Sequence, residues 1–287
     1  MRPPTHFVLR RGRLAGVVLW RGRRAGLLLA CVLIAATALA QTKPQPAPRT
    51  SDGKPDFTGI YQASSRRGGW DAEAPGDEPG VPAERRPIAV TTTEPIPFRP
   101  EARARAQEIL NRRSIDDPTG HCIYAASPRI TGVGLFPIQF VQTPTQMIIL
   151  YEYMTVHRVV PINGKHPDDL SPSFMGDSVG RWEGDTFVVD VIGFKPGGWL
   201  TGGLVTSDAL HLTERYTRVD RDQLNYEVTI DDPKVLTKPF AQRTTLMLRE
   251  GARLREYSCA ENNLDPGVYE KLLKDPSTFT RSPGKSK

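Results

Sequence analysis

The chain has 287 residues, with 38 Lys+Arg against 32 Asp+Glu, a formal charge of +6 and a pI near 9.3. Seven of the basic residues and none of the acidic ones fall in residues 1–40, so positions 41–287 hold 31 against 32. That near-neutral remainder carries no basic patch for nucleic acid or anionic membranes, and outside the leader no apolar run approaches the ~20 residues of a membrane span.

Residues 1–40 read as a secretory signal peptide. Arg21, Arg23 and Arg24 precede an apolar run over 25–36, and Ala38-Leu39-Ala40 supplies the small-x-small pattern a signal peptidase needs. Cleavage near Ala40 predicts an exported protein, periplasmic or extracellular. Export also changes the cysteine arithmetic, because Cys31 lies in the leader and only Cys122 and Cys259 remain. In an oxidising compartment that pair predicts a disulfide, the alternative being two buried free thiols.

Residues 41–54 are rich in Pro, Thr and Lys and read as a disordered spacer. A single β-rich domain is predicted over 55–263, opening with a short strand at 55–62. Residues 66–100 are heavy in Gly, Pro and charge and read as irregular. Pro100 suits the first helical position, so a helix is predicted over 100–113 that docks through Ala102, Ala106, Ile109 and Leu110.

Strands are predicted at 138–143 and, after Pro144-Thr145, as one long run over 146–161. Asn163-Gly164 reads as a two-residue hairpin turn. Three further hairpins are predicted: 178–182 with 186–193, 210–220 with 223–230, and 243–249 with 253–259. A Gly-rich loop at 195–206 carries Trp199. Residues 264–287 form a tail with a short helix at 268–274. The fold class is therefore all-β, mainly an antiparallel meander forming a barrel-like or strongly curved sheet, with one or two short helices.

Alternation assigns faces. Leu212, Glu214 and Tyr216 share one face of their strand, and His211, Thr213 and Arg215 share the other. In an unbroken 146–161 strand, Tyr151, Tyr153 and His157 oppose Glu152 and Arg158. Such mixed faces predict a ligand cavity lined by Tyr151, Tyr153, His157, Arg181, Trp182, His211 and Arg215. For acid/base chemistry, His157 or His211 beside Glu152 or Glu214 is the constellation to test. If Asn163-Gly164 is a hairpin turn, His166 lies four residues from the position of His157, roughly 13 Å away and too far to share a metal. With no H-x-H or C-x-x-C spacing either, no metal site or cofactor is expected.

The string Met175-Gly176-Asp177-Ser178-Val179-Gly180-Arg181-Trp182-Glu183-Gly184-Asp185-Thr186-Phe187-Val188-Val189-Asp190 resembles the signature of an uncharacterised family of exported bacterial proteins. Residues 136–152, 163–168, 207–214 and 229–238 fit the same family, which brings export but no established activity. Phe57-Thr58-Gly59-Ile60-Tyr61 is similar to the G-x-W opening of lipocalin-like barrels, with Tyr61 in place of Trp. That similarity implies a barrel enclosing one small ligand.

Three functions follow as expectations. The first is an exported barrel binding a small, partly apolar molecule. The second is a hydrolase or isomerase on the same scaffold. The third is an envelope interaction protein using residues 66–100.

Overall fold

Nine strands hydrogen-bonded in a single path dominate the computed structural model, which describes residues 45–64, 91–92, 95–132, 136–200, 203–261, 263 and 265–274. In chain order the elements are β1 (Gly59–Ala63), β2 (Thr91–Thr92), helix α1 (Pro100–Asp116), a 3-10 turn (Pro118–His121), α2 (Arg129–Gly132), β3 (Ile138–Gln142) and β4 (Gln146–Tyr151). They continue with β5 (Val156–Pro161), β6 (Asp177–Glu183), β7 (Thr186–Ile192), β8 (His211–Arg218), β9 (Gln223–Asp231), β10 (Phe240–Leu248) and α3 (Asp265–Lys274). The order β5-β4-β3-β1-β10-β9-β8-β7-β6 is antiparallel throughout, with the two-residue β2 added on β10. The two ends of the path meet at a parallel bridge between Ile162 and Gly180, where Asn163 N donates to Gly180 O at 2.7 Å. The sheet is thus a nearly closed barrel, the all-β architecture that the strand spacing predicts.

Alternation turns one face of every strand inward. Ile138 and Phe140, Met147 and Ile149, Phe187 and Val189, Leu224 and Val228, and Phe240 and Leu246 fill the interior. Phe140 packs edge-on against Tyr61 and Tyr216, and Tyr216 lies 4.9 Å from Tyr226. Rings of this size add large apolar areas to a core that is otherwise mainly aliphatic.

The tight hairpins at 183–185 and 221–222 form as expected. Three other expectations do not hold. The predicted strand over 146–161 is two strands, because Met154 and Thr155 adopt positive φ and the chain reverses at Tyr153–Thr155. β4 and β5 therefore pair with each other, Tyr151 opposite Val156. With β5 already paired to β4, Asn163-Gly164 leads into a loop over 163–176 and makes no hairpin. Residues 253–259 likewise form no strand, since both edges of β10 are occupied, by β9 and by β1.

Segments outside the sheet close its two ends. Of residues 41–54, expected as a spacer, 45–54 follow the barrel: Arg221 N donates to Gln45 O, and Arg49 pairs with Asp185 at 2.6 Å. Phe57 then caps that end against Trp182. At the other end residues 117–132 form a strap that enters the barrel, burying Ala125, Ala126 and Ile130. Cys122 is bonded to Cys259, fixing the strap to the segment that follows β10. The Gly-rich loop packs on the strap, with a Cβ at Gly198 falling 3.2 Å from Ala126. Among the described residues no helix is long and apolar enough to cross a membrane. Residues 1–40, which read as a signal peptide in the sequence, and most of 66–100 lie outside the described residues.

Candidate functional site

Polar side chains from five strands and the strap converge inside the barrel. β8 contributes Glu214, fully buried, and β5 contributes Arg158, 4% exposed. Arg158 Nη1 lies 2.9 Å from Glu214 Oε2 and donates to Oε1 at 3.1 Å. Its Nη2 donates to Ser178 Oγ on β6 at 2.7 Å. Glu214 Oε1 also accepts from Tyr226 Oη on β9 at 2.9 Å and from Ser127 Oγ on the strap at 2.5 Å. Arg158 Nη1 reaches Tyr151 Oη on β4 at 3.4 Å, and that hydroxyl meets Thr131 Oγ1 of the strap at 3.2 Å.

Two atoms of this centre are incompletely bonded. Tyr216 Oη lies beside Thr131 without a hydrogen bond of acceptable geometry, and Glu214 Oε2 has only the ion-pair contact. Burial pushes the phenols of Tyr216 and Tyr226 well above the ordinary range, and the nearby Glu214 carboxylate adds to the effect. Burial also works against the Arg158 charge, but Glu214, Tyr151 and Tyr216 more than offset it and hold the guanidinium above its ordinary value. The tyrosines are therefore neutral hydroxyls and Arg158 a fixed cation. A buried ion pair of this kind adds little net stability, because desolvation cancels most of the attraction.

A second constellation sits on the outer face of β6, β7 and β8. His166 joins two carboxylates, Nδ1 to Asp177 Oδ1 at 2.6 Å and Nε2 to Asp190 Oδ2 at 3.0 Å. His211 Nε2 meets the other oxygen of Asp190 at 2.7 Å, and its side chain is 45% exposed. Burial pushes the Asp190 carboxyl up, yet the bonds from His211 and His166 outweigh it and leave the group below the usual carboxylate range. The two imidazoles reach opposite oxygens of Asp190. Among the described residues no three His, Cys, Asp or Glu side chains are arranged to hold a metal ion.

The residues singled out from the sequence divide between these places and others. Tyr151 and Glu214 belong to the interior centre. His211 belongs to the outer chain. His157 is exposed on the outer face of β5, and Glu152 accepts a hydrogen bond from Arg255 N at 2.7 Å. Among the described residues none of these histidines pairs with Glu152 or Glu214; His211 and Glu214 are an odd number of residues apart and face opposite ways. Tyr153 lies in the reversal, stacked on Phe136 at 5.0 Å. Arg181 and Arg215 share Glu183 on the outside, at 2.7 and 2.9 Å. Trp182 packs on Phe57 and Phe187 at the barrel end.

Arg158, Ser127, Thr131, Ser178, Tyr216 and Tyr226 are the residues of this centre that the sequence did not single out. An unbroken strand puts Arg158 opposite Tyr151, whereas the reversal brings both inside. Glu214 between Leu212 and Tyr216 on a buried face was the available signal.

No family model, curated protein or solved structure matches this chain.

Proposed function

We propose that the protein is an exported binding barrel that holds a small, partly apolar molecule in its interior, against the Arg158–Glu214 centre. The carrying observation is that centre itself: a charge pair and three tyrosines buried in the interior, with Tyr216 Oη and Glu214 Oε2 incompletely bonded. Perturbed polar groups gathered inside a barrel are more characteristic of ligand sites than of a packing core. The apolar leader and the Cys122–Cys259 bond support export, and the string over 175–190 supports grouping the chain with the exported bacterial family it resembles.

Native mass spectrometry of the protein purified from its own periplasm tests the reading. A small-molecule adduct is expected on the wild type and is lost in the double variant Arg158→Met, Glu214→Leu, which keeps its strand circular dichroism. An adduct that survives in that folded variant, or no adduct on the wild type, overturns the proposal.

The alternative of a hydrolase or isomerase moves from a His–Glu pair to the outer face. Asp190 orients His211, whose Nδ1 makes no hydrogen bond among the described residues, and an oriented imidazole is the usual general base. Hydrolysis of p-nitrophenyl acetate that disappears in His211→Gln but persists in Arg158→Met supports this second reading; no turnover above that of free imidazole removes it.

A further inference from the structure

We infer that the interior centre takes a neutral, hydroxyl-bearing and otherwise apolar molecule, an alcohol in chemical class, whose hydroxyl replaces that of Ser127. The inference rests on the reading of the interior as a ligand site. Three observations carry it.

The first is charge. Arg158 is already paired with Glu214, 2.9 Å away, and both are buried, so the centre is balanced before any ligand arrives. A carboxylate or an ammonium would bring an unpartnered charge into this interior and carry a desolvation cost that a hydroxyl does not.

The second is the origin of Ser127. The other groups on Glu214 and Arg158 come from the wall: Tyr151 from β4, Ser178 from β6 and Tyr226 from β9. Ser127 comes from the strap. It donates to Glu214 Oε1 at 2.5 Å and lies 3.5 Å from Arg158 Nη1. Its buried strap neighbours are the apolar Ala125, Ala126 and Ile130, with Arg129 paired to Asp117 and Thr131 bonded to Tyr151. Of the strap's two buried hydroxyls, Ser127 and Thr131, only that of Ser127 reaches the Arg158–Glu214 pair, so a ligand that takes its place must offer one hydroxyl there on an otherwise apolar body.

The third is what the wall leaves open. Tyr216 Oη is fully buried without a hydrogen bond of acceptable geometry, and Glu214 Oε2 lacks a well-aligned donor. A hydroxyl in the place of Ser127 donates its one proton to Glu214 and keeps lone pairs that can accept from the Tyr216 phenol.

Isothermal titration calorimetry at neutral pH with 1-octanol, octanoate and octylamine tests the inference. Octanol is expected to bind at least tenfold tighter than either charged analogue. Ser127→Ala removes the competing hydroxyl and leaves Glu214 Oε1 one donor short, so octanol affinity is expected to rise about tenfold. Tyr216→Phe, a conservative change, is expected to lower it. Octanol binding indifferent to Ser127→Ala overturns the replacement. Preferred binding of octanoate or octylamine, sensitive to Ser127→Ala, overturns the neutral class while leaving the interior site standing. No binding by any of the three overturns the alcohol class, and the adduct experiment decides the site separately.

Discussion

Arg158 and Glu214 are worth far more to each other than to the barrel as a whole. Arg158→Met strands a carboxylate in the interior and is expected to cost about 3–5 kcal/mol, read from urea denaturation. The pair Arg158→Met, Glu214→Leu removes both charges and is expected to recover most of that loss. Tyr226→Phe leaves Glu214 Oε1 with one donor fewer and is expected to cost about 2 kcal/mol. At this scale Glu214 was legible in the sequence, standing as a carboxylate between Leu212 and Tyr216 on a face that alternation turns inward. Its partner was not. Tyr151 and Arg158 are seven positions apart, an odd spacing that separates faces unless the chain turns between them. Nothing in Glu152-Tyr153-Met154-Thr155 announces a turn, because none of these residues favours the positive φ that Met154 and Thr155 adopt.

The strap is held at its start by Asp117, which receives Arg129 Nη1 and Nη2 at 2.8 and 2.6 Å. Burial pushes the Asp117 carboxyl up, but Arg129 and Thr119 outweigh it and set it below the usual range. A depressed carboxyl contributes stability that is complete above about pH 4 and lost as pH falls through its lowered folded value. The wild type is therefore expected to lose strap stability progressively below about pH 4, and Asp117→Asn to be weaker near neutrality but flatter across that range. Tryptophan fluorescence of Trp199, in the loop packed on the strap, follows the change. The Cys122–Cys259 bond closes a 137-residue separation, so its reduction is expected to destabilise by about 3–5 kcal/mol, read as a lowered melting temperature. Elements bounded by strong turn chemistry, such as Glu183-Gly184-Asp185, were readable from sequence. Residues 253–259 were misread because alternation cannot reveal that both edges of β10 are already taken.

Across the whole molecule the chain is tied together by β10, which lies between β1 and β9 and so joins residues near 60 to residues near 245. A chain ending at residue 239 loses the strand that links the first hairpin units to the last. It is expected to show no native sheet by circular dichroism, whereas removal of α3 leaves the sheet intact. The local hairpins were legible; this long-range pairing was not, because register between distant strands is set by packing that only the assembled barrel supplies.

The meeting of β5 with β6 gives the barrel a fault line. Every other neighbour pair in the path is joined by an antiparallel ladder of at least three residue pairs, but here the backbone contributes one short parallel contact beside Gly180, where an added Cβ would collide with Phe187. A side chain also crosses the line, Arg158 of β5 donating to Ser178 of β6 from within. A hydrogen-exchange experiment on the intact protein is accordingly expected to find the outer-edge amides of β5 and β6 labelled first, and Ser178→Ala to widen that early-exchanging stripe while β9 and β10 remain protected.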